Sequence, residues 1–546
     1  MSKMMATGGV TGALNLPLRP DSYRLTPGVR VVMQNDGWLA LCAYPLRVIR
    51  LSDTNARLLQ LCQEQRSATE LAASLRLPIR SARARCEQLR WKGLLEAGPI
   101  APPATWPTVS IIIPAYNRAA QLERCLRSLF VLDYSHDLFE IVIVDDASSD
   151  ATSAMLAQLV PEAEHSGIAL RVIRQRTRKG VAVGRNTGAQ SARYDILAYI
   201  DSDCVASAQW LNELIPAFQD NSVAAVGGMI RAYEQASMLG RYEDARSSLF
   251  MGQRAQQASL NSSLTYLPTA NLLVRKTAWR QLDGFAPLTF GEDVDFCRRL
   301  LASKARLLYL PSGIVYHDYR TTLWAFLRIR ASYASAEAAL QHIHPEQRRV
   351  LVLPPEQAAF AGLTIGGLWK QVTRPLLAAN RTIGRAKSFP YLFFFALILT
   401  LVGAFKRWRT VREQRLPIGP LAVLRATIRG HLAYTYHLCR HLTRYYTLPL
   451  LLLGLALPPL LILSLLLCSI VIGVDYVRLR PAMSIEEFTL CAILDDCAYE
   501  AGVLQGCIKH RTWKPLVPVV RKNVAILHPA AKEGHATHAH ARTGTS

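Results

Sequence analysis

The chain has 546 residues, half of them hydrophobic and 19% charged, which excludes a disordered tail protein and leaves room for more than one domain. Its formal net charge of +23 excludes an acidic solvating protein and leaves nucleic acid, an anionic membrane or a phosphate-bearing substrate as partners. The excess is uneven: +7 over residues 1–105, +1 over 106–340 and +15 over 341–546.

The N-terminus, MSKMMATGGVTGALNLPLRP, has no continuous apolar core of the secretory kind, and the eleven cysteines form no C-x-x-C pair. The cysteines are therefore expected to be reduced core residues of a cytoplasmic protein. Residues 21–50 alternate apolar and polar around Asn35-Asp36-Gly37 and read as a β-hairpin. Ser52 ahead of 55–63, Ser67 ahead of 68–75 and the run 81–93 predict three short helices. Together they suggest a small winged-helix-like α+β module, followed by a Pro-rich linker at 98–107.

From Val109 strands alternate with helices: VSIIIP, a helix over 119–132, FEIVIVDD, the helical ATSAMLAQLV, ALRVIRQ, the helical VGRNTGAQSA, then ILAYIDSD. Continuous apolar strands between helices imply a parallel sheet buried on both faces, with functional residues at the carboxyl ends of its strands. The polar clusters Pro114-Ala115-Tyr116-Asn117-Arg118, Asp145-Asp146 and Asp201-Ser202-Asp203 all fall there. Further on, 391–405 is apolar but short, whereas 448–474 is uncharged and long enough to span a bilayer. Nine basic residues and Glu413 alone lie between them. If both stretches spanned, that basic loop would face away from the cytoplasm, against the positive-inside tendency. The expectation is that 391–405 lies at the interface and 448–474 turns back at Pro458-Pro459. The His-bearing tail 530–546 reads as disordered.

Asp201 and Asp203, at i and i+2 beyond a buried strand, can hold a hard divalent cation and a sugar diphosphate together. Gly291-Glu292-Asp293-Val294-Asp295 places three carboxylates before a helical run, where they cap the helix or supply a general base. His317 can complete a metal shell.

VSIIIPAYNR, IVIVDDASSD, Gly184-Arg185-Asn186-x-Gly188, YIDSDC, LPTANLLVRK, LDGF and GEDVDFCRRL, in that order over 109 to about 330, resemble the family 2 glycosyltransferases of the GT-A fold. The resemblance implies an α/β Rossmann-like GT-A domain and a metal-dependent, inverting transfer from a nucleotide sugar. By position, Pro114, Tyr116, Asn117 and Asp146 would line the nucleotide pocket, Arg185 would lie near the diphosphate and Asp201 near the ribose or sugar. Asp203 and His317 would hold Mg²⁺ or Mn²⁺, Asp293 would be the base, and Glu292 would orient the acceptor. Asp283 in LDGF departs from the family, where Gly is usual.

The flanks resemble the mycofactocin-pathway members of that family. This implies repeated β-1,4 transfer of glucose from UDP-glucose onto a small peptide-derived redox cofactor, at the cytoplasmic face of the cell membrane. The expected organisation is a peptide-binding-like module with its linker at 1–105, the GT-A domain at 106–340, a helical membrane-associated region at 341–529 and the tail. Two rivals remain. A processive polysaccharide synthase shares the catalytic residues but normally carries Q-x-x-R-W, which TTLWAFLRIRASYASAEAAL lacks, although Trp324 and Tyr333 can stack on sugars. A DNA-binding regulator would use Arg83, Arg85 and Arg90 on one helix, yet +7 over that module is modest, and nucleic acid is the least expected of the three partners.

Overall fold

A computed structural model of the chain describes residues 22–34, 37–43, 46–97, 103, 105–260, 262, 264–378 and 391–522. β1 (Ser22–Leu25) is followed by β2 (Val29–Gln34), β3 (Gly37–Ala43) and β4 (Leu46–Leu51), and the last three form an antiparallel meander. The β2–β3 hairpin closes at Gln34 opposite Gly37, as expected, and β4 extends it by a third strand. Asn35 and Asp36, most of the linker and the tail lie outside the described residues. Helices α1 (Asp53–Leu61), α2 (Ala68–Leu75) and α3 (Ile79–Trp91) come next, while β5 (Arg66–Ser67) and β6 (Leu95–Ala97) flank β1 in a second small sheet. The Ser52 side chain accepts the Asn55 N–H, and Ser67 with Glu70 makes a capping box, so two serines set the starts of α1 and α2. Tyr23, Leu58, Leu59, Leu71 and Leu89 fill the core between these elements.

β7 (Val109–Ala115), α4 (Ala119–Phe130), β8 (Phe139–Asp145), α5 (Thr152–His165), β9 (Ala169–Arg174), α6 (Val181–Ser191) and β10 (Ile196–Ile200) alternate as the sequence implies. Every residue of β7, β8 and β10 is buried. Alternate side chains serve different cores, Ile111 and Ile113 on one face of the sheet and Ile112 on the other. β11 (Cys204–Ala206), α7 (Trp210–Leu214), β12 (Val223–Gly227), β13 (Ile230–Ala232), α8 (Met238–Arg246), β14 (Gln256–Gln257), β15 (Asn271–Arg275), α9 (Lys276–Gln281), α10 (Glu292–Ala302), β16 (Arg306–Tyr309) and β17 (Val315–His317) complete the α/β part. The sheet order is β14-β16-β12-β15-β10-β7-β8-β9, and β15 runs antiparallel to both neighbours. A buried apolar run such as NLLVR reads alike in either direction, so the sequence signals the strand and not its sense. A second sheet, β11-β17-β13, pairs Cys204 with His317.

The remaining elements are α11 (Leu323–Ile343), β18 (Val350–Val352), α12 (Pro355–Ala378), α13 (Tyr391–Glu413), α14 (Pro420–Ala456), α15 (Pro458–Leu479), α16 (Ile485–Lys509) and β19 (Val519–Arg521). The chain divides into two compact units, one of residues up to 347 with 439–515, the other of 348–438 with residues from 516. In the first, Gly502 and Gly506 of α16 lie against the carbonyls of Ala331 and Ser335 on α11, where any Cβ would collide. Glu243, Asp475, Asp495 and Asp496 form a buried network with Arg246, Arg330, Arg440 and Arg444, including Arg330 to Glu243 at 2.7 Å and Arg440 to Asp496 at 2.8 Å. Four acids balance four guanidinium groups, which is how such a cluster tolerates burial.

The expected reversal at Pro458-Pro459 is present: α14 stops at Ala456, α15 starts at Pro458, and Gly454 abuts the Leu461 backbone. α15 buries Leu467, Cys468, Val471 and Ile472 on one face and exposes Leu465, Val474 and Val477. In the second unit Glu356 takes a bidentate pair from Arg407 at 2.8 Å and meets His431 at 3.1 Å, while α13 exposes Phe394, Phe395, Leu401 and Phe405. Among the described residues α13 and α15 are the two helices long and apolar enough to cross a membrane.

Candidate active site

The site forms where β7, β8 and β10 end. Tyr116 follows β7, and the Arg178 guanidinium lies 4.1 Å over its ring. Asp146 follows β8 and accepts the N–H groups of Lys179 and Gly180 at 2.7 and 2.8 Å, which holds the basic loop 176–180 at the cavity wall. Helix α6 comes close to β7 because Gly188 packs on Ile112, where a Cβ would lie 2.5 Å from Cγ2. That approach brings Arg185 inward. Arg185 is 3% exposed and donates to Asp201 at 2.7 Å and to Glu292 at 2.6 Å. Burial alone would lower its pKa, but Asp201 and Glu292 hold it above its ordinary value.

Asn186 fixes the other side of the site. Its amide oxygen accepts from Phe285 N–H at 2.9 Å and Trp279 Nε1 at 3.3 Å, which seats Phe285 beneath Arg185. Asp283, the departure in LDGF, takes φ +53°, a left-handed conformation that explains why glycine is usual there and that Asp tolerates. Gly291, at φ +83°, turns the chain into α10 so that Glu292 and Asp293 enter the site.

Asp203 lies 2.9 Å from Arg118, 3.7 Å from Arg320 and 3.6 Å from His317, which the β11–β17 register delivers. Burial alone would raise its carboxyl, but His317, Arg118 and Arg320 outweigh that and hold it below the usual range. Ligand atoms of Asp203, Cys204 and His317 lie within 4.8 Å of one another. Burial pushes the Cys204 thiol well above its ordinary value, so it stays protonated and is a poor ligand for a hard cation. The buried His317 Nδ1 lacks a partner among the described residues. One carboxylate oxygen and one imidazole nitrogen therefore fit a divalent cation whose shell substrate oxygens complete. Among the described residues Asp293 accepts only from Val294 N–H, at 2.8 Å; burial and the neighbouring Glu292 push its carboxyl up to about 7, against the pull of Arg185.

Two adjoining cavities result. The first, about 460 Å³, is lined by Pro114, Tyr116, Asp146, Arg185, Asp201, Asp203, Glu292 and His317. The second, about 390 Å³, shares Arg185, Asp201, Glu292, His317 and Tyr333 with it and alone contains Asp293. Asn117 lines neither cavity. It is exposed, and its amide oxygen takes the N–H groups of Ser149 and Asp150 at 2.8 and 3.4 Å, so its work is to pin the β8–α5 loop. Arg118, Arg178, Lys179 and Arg320 also line the first cavity; Arg118 belongs to the strand-end cluster singled out from the sequence, whereas the other three escaped that reading, although the run RTRKG ahead of Gly184 signals an anion-facing loop. Arg298, Glu337, Arg444 and Tyr499 line the second; Arg298 falls within GEDVDFCRRL but was given no role there, and the other three carry no motif.

Residues 110–282 match the family model for glycosyl transferase family 2. The chain is 29% identical, over 92% of its length and 98% of the relative's, to the pre-mycofactocin glycosyltransferase of Mycobacterium tuberculosis. It is 26% identical to glycosyltransferase AglE of Haloferax volcanii over 40% of this chain and 69% of that one. Among solved structures, a mannosyltransferase from Pyrobaculum calidifontis in complex with GDP-Man and Mn²⁺ aligns at TM-score 0.38 and 20% identity, over 63% of this chain and 92% of that one.

Proposed function

Because this chain carries a family 2 glycosyltransferase domain, we propose that it is an inverting, metal-dependent hexosyltransferase that moves glucose from UDP-glucose onto a small peptide-derived redox cofactor or its precursor. One observation carries the reading: the loosely held carboxyl of Asp293 faces a cavity of its own, which adjoins the cation-ringed cavity through Arg185, Asp201 and Glu292. A base and a leaving-group site on opposite sides of one wall suit direct displacement.

The donor occupies the first cavity, with its base and ribose against Pro114, Tyr116 and Asp146 and its diphosphate near Arg118, Arg178, Lys179 and Arg320. Asp203 and His317 would hold Mg²⁺ or Mn²⁺, which neutralises negative charge on the departing diphosphate. The acceptor hydroxyl gives its proton to Asp293 and its oxygen forms a bond to the anomeric carbon. The bond from that carbon to the diphosphate breaks, its electron pair leaves with UDP, and the configuration inverts. Glu292 keeps Arg185 fixed between the two cavities and orients the acceptor. Repetition on the newly added glucose would build a β-1,4-linked chain.

We read the N-terminal module as winged-helix-like, supported by its three helices and the sheet of β1, β5 and β6. The apolar faces of α13 and α15 and the +15 of residues 341–546 support attachment to the cytoplasmic face of the membrane. A donor screen with purified protein and Mn²⁺ tests the reading. UDP release and anomeric inversion with UDP-glucose are expected, and turnover of another sugar nucleotide instead would contradict it.

A further inference from the structure

The second cavity is rich in ionisable groups, and the proposed transfer does not use all of them. Most are partnered: Arg185 by Asp201 and Glu292, Arg444 by Asp495 and Asp496, and Glu337 by the hydroxyls of Tyr445 and Tyr499. Two on α10 are not. Asp293 accepts a single backbone N–H, and Arg298 makes no hydrogen bond or ion pair among the described residues. The adjacent Arg299 shows the contrast, since it binds Asp295 at 2.8 Å and the carbonyls of Leu282 and Gly284 at 2.7 Å. Arg299 holds α10 in place, whereas Arg298 faces the cavity with its donors free.

A guanidinium drawn partly out of water without a partner is costly, and a ligand oxygen offsets that cost. Burial pushes Arg298 below its ordinary pKa, with Glu337 pulling the other way. The fork geometry of arginine suits a planar carboxylate or carbonyl. Phe290, Tyr266 and Tyr333 also line this cavity and supply aromatic wall.

We propose that Arg298 is a second anchor for the acceptor, gripping a carboxylate or carbonyl oxygen while Asp293 takes the proton from a hydroxyl at the other end of a flat molecule. The acceptor is thus two-ended, with a hydroxyl at one end and a planar oxygen at the other. The inference rests on the sugar-transfer reading and names the acceptor class for it. Arg298 is a positioning residue, because it touches neither the donor nor the reacting atoms.

The test uses the full chain, UDP-glucose and Mn²⁺ with three acceptors: 3-(4-hydroxyphenyl)propanoate, its amide, and 4-propylphenol, which lacks the planar oxygen. The wild type is expected to show a KM for the first two at least tenfold below that for 4-propylphenol. Arg298→Gln should erase this preference by raising KM, with kcat changed less than threefold, and Arg298→Lys should restore part of it. UDP-glucose hydrolysis without acceptor reports folding and should be the same in both variants. An undiminished preference in Arg298→Gln would overturn the inference, as would UDP-glucose hydrolysis in a wild type that glucosylates none of the three. Failure of every protein to release UDP from UDP-glucose would instead overturn the sugar-transfer reading, and the anchor with it.

Discussion

The cavities assigned to donor and acceptor share the wall of Arg185, Asp201 and Glu292 but are built from different material. The donor side comes from loops at the carboxyl ends of consecutive parallel strands, and its acids are already paired: Asp146 with backbone N–H groups, Asp203 with Arg118 and Arg320. The acceptor side keeps a loosely held Asp293 and Arg298 on α10, and it is completed by α11, α14 and α16, the last two more than a hundred residues downstream. A preformed, charge-balanced pocket suits a donor common to many enzymes. A wall brought in from elsewhere in the chain lets acceptor choice change while the donor pocket stays the same.

Perturbing the shared wall should have the largest effect. Arg185→Met leaves Asp201 and Glu292 facing each other without their cation, and loss of one partner from a buried pair costs about 3–5 kcal/mol. Chemical denaturation should show that loss, together with the loss of both donor binding and transfer. Asp293→Asn should affect one side only: transfer falls by about 10²–10⁴, the usual contribution of a general base, while the melting temperature holds or rises. Gly502→Val forces α16 away from α11, at about 1–3 kcal/mol for overpacking. It should raise the acceptor KM more than the donor KM, and an equal rise in both would blur the distinction between the cavities.

The pH dependence is a gentler probe. With the Asp293 carboxyl pushed up to about 7, transfer should rise with pH through neutrality and then level, while donor binding stays flat over the same range. For stability the sign is opposite. A raised carboxyl contributes most below its unfolded value of 3.8, and that contribution is lost as the pH climbs through 7. A transfer rate already level at pH 5 would remove Asp293 from the role of base.

The donor side was largely legible in the sequence because strand ends announce themselves. Tyr116, Asp146, Asp201 and Asp203 each follow an apolar run, and the structure gathers them in one cavity. Asn117 shares that position yet faces away, since its left-handed φ of +49° turns the amide toward Ser149. Periodicity gives no hint of a single residue's φ. Beyond the shared wall, the acceptor side was legible in Asp293 and Tyr333. Tyr499 and Arg444 reach it because Gly502 and Gly506 let α16 sit against α11, and a glycine pair in a helix does not name its partner. The apolar stretch 448–474 was read for its hydropathy, which says nothing of Asp475 just beyond it, whose pair with Arg246 lies within the same unit as the catalytic sheet.

The most direct test of the division is a calorimetric titration of UDP-glucose, with Mn²⁺ present, into Asp203→Asn and Asp293→Asn side by side. The account predicts at least a tenfold loss of affinity in Asp203→Asn and wild-type affinity in Asp293→Asn. A loss confined to Asp293→Asn, or an equal loss in both, would contradict it.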